Sequence, residues 1–358
     1  MELYPRKKTR SLRIGRLKIG GGAPIAIQSM NNTRTQDVPA SLAQLRQLYE
    51  AGCGIGRLAV PDQMAAQALA EIVKQSPMPL VADIHFDYRL ALAAVKAGIS
   101  ALRINPGNIG DADRVRQVAL AARAAGIPIR IGVNGGSLDK RILARCGGIT
   151  AEGLCESALE QAEQLERCGF YDIKISLKCT ELPVMLAAYR RMAEISDYPL
   201  HIGVTEAGTL ARGSLKNAIG IGALLSEGIG DTLRVSLTAD PVEEVRVAKD
   251  ILQMLGLEQS GWEFVSCPTC GRTCIDLIGL AQRVEKELSA ISPRRRRKVA
   301  VMGCAVNGPG EASDADLGLA GGADGGLIFC HGQKLGFFPE AELLPEFLRL
   351  ARALAEEE

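Results

Sequence analysis

Up to about residue 255 the chain repeats one pattern. A short apolar run rich in β-branched residues ends in polar residues, and a Gly or Pro turn follows. An Ala- and Leu-rich stretch comes next, with apolar residues three and four apart. The short runs lie at 25–30, 56–61, 80–86, 101–106, 129–134, 172–178, 200–205 and 232–238. The stretches between them predict helices, for example over 41–51, 64–74, 112–125, 156–168 and 242–255. Strands that alternate with helices pair in parallel. Eight such units in about 250 residues predict a (β/α)8 TIM barrel rather than an open doubly wound sheet. The letters Gly54-x-Gly56-x-x-Ala59 match a dinucleotide fingerprint. They precede a strand instead of joining a strand to a helix, so they carry no weight for a nucleotide site.

Beyond about residue 261 the rhythm breaks, and Cys, Gly and Pro become dense. Here the pattern predicts a helix over 275–288, a basic loop at 294–298 and a strand at 299–302. A Gly-rich segment then runs to Gly336, and a last helix covers 340–355. The fold class is therefore α/β: a barrel over residues 1–258, then a small α+β domain over 259–358.

Composition narrows the function. Lys and Arg number 42 and Asp and Glu 41, for a net charge of +1. That balance argues against a nucleic-acid partner. No apolar run approaches the roughly 18 residues of a membrane span. The polar, basic start has no apolar core of an export signal, which predicts a cytoplasmic protein. Ten cysteines in 358 residues are too sparse for a disulfide scaffold, so they read as thiols and candidate metal ligands.

In barrels of this kind the active site lies at the C-terminal ends of the strands. The runs there carry Arg57; Asp83 and His85; Arg103 and Asn105; Arg130 and Asn134; Lys174, Ser176 and Lys178; His201, Thr205 and then Glu206; and Arg234 and Ser236. Most spacings are two or four, so each set shares one face, and the common face is the barrel interior. A buried cation needs a partner. Many converge here with few acids, and a diphosphate fits them, since Arg grips phosphate oxygens bidentately. A single Arg could instead be spent in a salt bridge to a helix. Asp83 and Glu206 are acids among these bases, and each can be a general acid or base or a structural partner of the arginines. His85 shares a face with Asp83 and is the stronger histidine candidate. His201 reads as a core residue.

The sharpest motif is Ser266-Cys267-Pro268-Thr269-Cys270. A lone C-x-x-C suits a redox dithiol or half a zinc site. No second C-x-x-C completes a zinc ribbon, and the motif does not open a thioredoxin-like unit. Cys304, in the loop-like run Gly303–Glu311, is the next thiol donor, and thiolates on separate loops favour an iron–sulfur cluster. Cys274 gives C-x-x-C-x-x-x-C, the reverse of the radical adenosylmethionine spacing, and reads as a spare thiol. Cys53, Cys146, Cys155, Cys168, Cys179 and Cys330 are scattered and read as small buried hydrophobes.

These residues carry a resemblance. The segments SCPTC at 266–270, GCAVNGPGE at 303–311, ALRINPGN at 101–108, IRIGVNGGS at 129–137 and HIGVTEAG at 201–208 resemble the bacterial 4-hydroxy-3-methylbut-2-enyl diphosphate synthases, in order along nearly the whole chain. The resemblance implies a barrel followed by a domain that holds a [4Fe–4S] cluster through Cys267, Cys270, Cys304 and Glu311. It implies reductive opening of 2-C-methyl-D-erythritol 2,4-cyclodiphosphate, with electrons from ferredoxin or flavodoxin. It implies that Arg57, His85, Arg103, Asn105, Arg130, Asn134, Lys178, Arg234 and Ser236 bind the substrate, with Asn307 near the cluster and Glu206, Asp83 and Glu311 in catalysis. It also implies a homodimer in which one chain's cluster domain serves the other's barrel. Of the four ligands the carboxylate of Glu311 is the odd donor beside three thiolates, and so the exchangeable one. The basic run 294–298 could dock an acidic electron carrier, although a solvated loop explains it as well. A pterin-binding barrel, as in dihydropteroate synthase, shares the cationic mouth but needs no cysteine loop.

Overall fold

A computed structural model describes residues 5–258, 260–304, 310 and 312–357. The chain divides into two compact units, Met1–Ile251 and Leu252–Glu358.

The first unit opens with a hairpin, β1 (Leu12–Ile14) and β2 (Leu17–Ile19). Its apolar residues Leu12, Ile14 and Ile19 pack on Ile55, Val81 and Ala101. Eight barrel strands follow: β3 (Ala26–Met30), β4 (Ile55–Ala59), β5 (Leu80–Asp83), β6 (Ala101–Ile104), β7 (Ile129–Asn134), β8 (Ile173–Lys178), β9 (His201–Ile202) and β10 (Thr232–Leu233). Each pairs in parallel with the next from β3 to β8, and β9 pairs with β10 and β10 with β3. A bridge from Ile175 to Leu200 joins β8 to the β9 segment and closes the ring. This is the expected TIM barrel. The predicted runs 200–205 and 232–238 shrink to two-residue strands, since the chain leaves the ladder early. At Gly203 a Cβ would stand 2.3 Å from the Arg234 carbonyl oxygen, so only glycine lets the two segments approach that closely.

The helices between the strands follow from their patterns. In Gln63–Gln75 the buried residues Ala65, Ala66, Leu69 and Ile72 form one stripe, and the Asp62 carboxylate accepts from the Ala65 N–H to cap the start. Asp37, Asp87, Asp111 and Thr150 cap other helices in the same way.

The second unit is a five-stranded mixed sheet, β11 (Gly261–Ser266), β12 (Arg296–Met302), β13 (Leu317–Gly322), β14 (Gly325–Cys330) and β15 (Gln333–Pro339), in that spatial order. The first three are parallel and the last three antiparallel. The helices Leu277–Ser289 and Glu340–Glu356 cover one face, where Val299, Val301, Leu317, Leu319 and Ile328 meet Val284, Leu288 and Phe347. Ala300, Met302, Ala320 and Phe329 point to the other face. Two expectations change here. The basic run is a loop only at Arg294 and Arg295, because Arg296, Arg297 and Lys298 are the first residues of β12. Acids make this possible: Arg296 pairs with Glu263, Arg297 with Asp316 and Glu357, and Lys298 with Asp314. The Gly-rich segment to Gly336 is the antiparallel strand set β13–β15.

Candidate active site

The parallel register stacks the basic residues. Asp83 on β5 pairs with Arg103 on β6, Arg103 with Arg130 on β7, Arg130 with Lys174 on β8, and Asn134 with Lys178. A cavity of about 130 Å³ opens above them, lined by Arg57, Asp83, His85, Arg103, Arg130, Asn134, Ser176, Lys178, Thr205, Arg234 and Ser236. Eight of the nine barrel residues that the resemblance assigns to substrate binding therefore surround one space. Asn105 does not line it: its side chain accepts from the Gly107 N–H and starts the short helix Pro106–Ile109. Glu206 is exposed, one residue beyond the lining Thr205, on left-handed backbone with φ +52°. That conformation is costly for a residue with a Cβ, and such costs gather at functional loops.

Asp83 is the anchor of one side. Its Oδ1 accepts from Arg103 Nη1 at 3.1 Å, and its Oδ2 lies 3.6 Å from Arg57 Nε and 3.5 Å from His85 Nε2. Burial alone would raise this carboxyl, but Arg57, the His85 hydrogen bond and Arg103 hold it well below the usual carboxylate range. Arg103 also reaches the Gly132 carbonyl at 3.4 Å. A Cβ on Gly132 would stand 2.5 Å from Arg103 Nε, so the glycine makes room for the guanidinium.

Arg130 is the odd member. It is 3% exposed. Its Nη1 donates to Ser176 Oγ at 2.8 Å, while Nε and Nη2 have no partner among the described residues. A buried guanidinium with two idle donors is expensive unless an anion completes it. Burial, and then Arg57 and Arg103, oppose its charge. On the far side Arg234 pairs with Glu244 at 3.2 Å, and Glu244 also accepts from Ser29 Oγ and the Leu237 N–H. Sequence reasoning missed Glu244. It lies in the first turn of helix Pro241–Met254, where an acid reads as a solvated complement to the helix dipole. The signal was its register with the buried Ala248 and Ile251, four and seven residues on.

A second polar layer lies deeper. Lys174 Nζ donates to Thr232 Oγ1 at 3.3 Å, and Thr232 Oγ1 lies 2.9 Å from His201 Nδ1. His201 is wholly buried, and burial with Arg130, Lys174 and Lys178 pushes it well down, so the imidazole is neutral. That fits its reading as a core residue.

In the second unit, parallel β11 and β12 end side by side, with Ser266 opposite Val301. The loops that leave them carry the cysteines. The Gly303 N–H donates to Cys267 Sγ at 3.1 Å, and the Cys274 N–H donates to the Gly303 carbonyl at 3.1 Å. The exposed Cys270 thiol is lowered by a backbone hydrogen bond at Arg272, which favours the thiolate. Cys304 follows two residues after β12 and is half-buried. Among the described residues no three His, Cys, Asp or Glu side chains are grouped to hold a metal ion. Asn307 and Glu311 lie outside the described residues. The donor chemistry nonetheless fits an iron–sulfur cluster: unpaired thiols on neighbouring loops, one of them already accepting a backbone N–H. Of the other cysteines, Cys53, Cys155 and Cys179 are buried, whereas Cys146, Cys168 and Cys330 are only half-buried. Among the described residues no helix is long and apolar enough to cross a membrane.

Residues 9–249 match the family described as the GcpE TIM-barrel domain, and residues 263–353 match the GcpE protein C-terminal domain. A 4-hydroxy-3-methylbut-2-en-1-yl diphosphate synthase (flavodoxin) from Maridesulfovibrio salexigens is 58% identical, covering 96% of both chains. The protein of that name from Ruminiclostridium cellulolyticum is 54% identical, covering 96% of this chain and 97% of its own. Among solved structures, a type I 3-dehydroquinate dehydratase from Clostridium difficile aligns with a TM-score of 0.50 at 14% identity, over 69% of this chain and 98% of that one. That last likeness concerns the barrel fold alone.

Proposed function

The chain belongs to the GcpE family of 4-hydroxy-3-methylbut-2-en-1-yl diphosphate synthases, and from that premise we propose that it opens 2-C-methyl-D-erythritol 2,4-cyclodiphosphate reductively to (E)-4-hydroxy-3-methylbut-2-enyl diphosphate. Two electrons and two protons enter and one water leaves. The observation that carries this reading is Arg130, buried with two idle donors inside a ring of cations.

Arg57, Arg103, Arg130 and Lys178 grip the diphosphate oxygens. Asn134, Ser236 and Thr205 complete the lining. Asp83 is a positioning residue: its proton is lost far below neutral pH, so it orients Arg103 and His85 rather than donating protons. Glu206, exposed beside Thr205, is the acid free to exchange protons with solvent and substrate. Cys267, Cys270, Cys304 and Glu311 would hold a [4Fe–4S] cluster, which supplies one-electron transfer when bound. A reduced flavodoxin is the donor named for the relatives, and we assign the same class of donor here. The functional assembly in this reading is a homodimer in which one chain's cluster domain serves the other's barrel, so at substrate concentrations too low for the Arg130→Gln chain, mixing it with a Cys267→Ser chain should give more activity than the two chains have separately.

The test is turnover of the cyclodiphosphate by protein purified without air and supplied with reduced flavodoxin. Iron and acid-labile sulfide should each be about four per chain, and product should form. Full cluster content with no turnover would overturn the reading.

A further inference from the structure

The barrel interior holds six cations, Arg57, Arg103, Arg130, Lys174, Lys178 and Arg234, against two carboxylates, Asp83 and Glu244. Asp231, near Lys174, is already engaged by Arg6, Thr9 and the Leu200 N–H. Arg103, Arg130, Lys174 and Lys178 are buried and Arg57 and Arg234 partly so, and an excess of four positive charges there is costly without an anion. Arginine cannot shed its proton, so the relief must come from the lysines. Lys174 is 2% exposed. Its one described hydrogen-bond partner, Thr232 Oγ1, satisfies an amine well but leaves two donors of an ammonium unmet.

We propose that ligand binding in the barrel is proton-coupled: without a ligand the buried lysines rest as neutral amines, and the arriving diphosphate draws protons from solvent onto Lys178 in the cavity lining and Lys174 in the layer beneath it. The inference rests on the functional reading above. Among the groups facing Lys174, Arg130 opposes its charge and Asp231 favours it. Arg130 on β7 and the neutral His201 on β9 offer it no negative charge, and Asp231 before β10 is shared with Arg6. Burial and then Arg130 push Lys174 down to about 7. Burial first, and then Arg234, Arg57 and Arg130, push Lys178 well below its ordinary range, with Glu244 in opposition. A bound dianion reverses this balance and raises both. Binding therefore tightens as pH falls toward 7, levels off for Lys174 below it, and weakens above it by up to about tenfold per pH unit for each proton taken up.

The experiment is calorimetric titration of the holoenzyme, without reductant, with the cyclodiphosphate at pH 8. Two buffers of different ionisation enthalpy are used. Each phosphate of this ligand carries one strongly acidic proton and is already ionised, so any proton taken up goes to the protein. Uptake of about one proton or more per site is expected. In Lys174→Met it should fall, with binding retained. Lys174→Arg, which keeps the charge permanently, should show the same fall and serves if the methionine variant is unstable. Binding with equal heats in both buffers, or an uptake unchanged in both variants, would overturn the inference and leave the functional reading standing. No binding at all would overturn the functional reading, and the inference with it.

Discussion

The two units of this chain prepare for chemistry in opposite ways. In the barrel Asp83, Arg103, Arg130 and Lys178 sit on paired strands and are buried, and Asp83 alone touches three bases. In the second unit the sheet is just as regular, but the thiols stand on loops beyond its edge, with Cys270 and Cys274 exposed. The barrel is complete except for a missing negative charge. Among the described residues the cysteine loops are tied mainly by backbone hydrogen bonds, such as Gly303 N–H to Cys267 Sγ and Cys274 N–H to the Gly303 carbonyl. A polyanion would thus meet a cavity whose cations are already in place, whereas a metal cluster would complete its own site as it bound.

The largest effect should come from the loop unit. Cys267→Ser removes the proposed thiolate ligand, which accepts the Gly303 N–H. Iron and sulfide content should collapse and turnover should fall to background. Cyclodiphosphate binding, measured calorimetrically, should stay at the wild-type value. If binding is lost as well, the two regions are not separable in the way described. Next comes Arg130→Gln. A charged hydrogen bond contributes about 1.5–3 kcal/mol, so affinity should drop by roughly 10- to 100-fold. Removing a buried, half-satisfied cation should leave thermal stability equal or higher. A marked fall in Tm with unchanged affinity would make Arg130 a structural residue.

Much of the barrel was readable because strands repeat every two residues. That period put Arg57, Asp83, Arg103, Arg130 and Lys178 on one face, and parallel pairing around a closed ring brings one face to one place. What escaped depends on tertiary partners. Asn105 has the spacing of a site residue, yet a helix N-terminus claims its side chain. The strands after Ile202 and Leu233 end early, since Gly203 permits a backbone approach no periodicity encodes. The basic residues of β12 looked like a loop, since Arg296, Arg297 and Lys298 suit a strand only when Glu263, Asp314 and Asp316 neutralise them, and those acids are distant in sequence. The cysteine motifs were legible for the opposite reason: their meaning lies in residue identity and short spacing, which needs no fold.

Glu244→Gln tests the part of the barrel that was not legible. Glu244 is 4% exposed and holds Arg234, Ser29 and the Leu237 N–H. Breaking one side of a buried ion pair costs about 3 kcal/mol, so Tm should fall by several degrees. Affinity for the cyclodiphosphate should be no weaker, since Arg234 is released toward the cavity. A large loss of affinity with an unchanged Tm would place Glu244 among the ligand-contacting groups.

The smallest effect is expected at the basic run of the second unit. Arg296, Arg297 and Lys298 already hold Glu263, Asp316, Glu357 and Asp314, so the run presents far less positive charge than its composition suggests. Arg295 is exposed, with no ion pair among the described residues. One exposed pair contributes at most about 1 kcal/mol. Arg295→Glu should therefore raise the KM for reduced flavodoxin by less than about fivefold, with kcat unchanged. A rise of well over tenfold that disappears at high salt would mean that an acidic carrier docks here by long-range attraction. The second unit would then share with the barrel a charge prepared in advance of its partner.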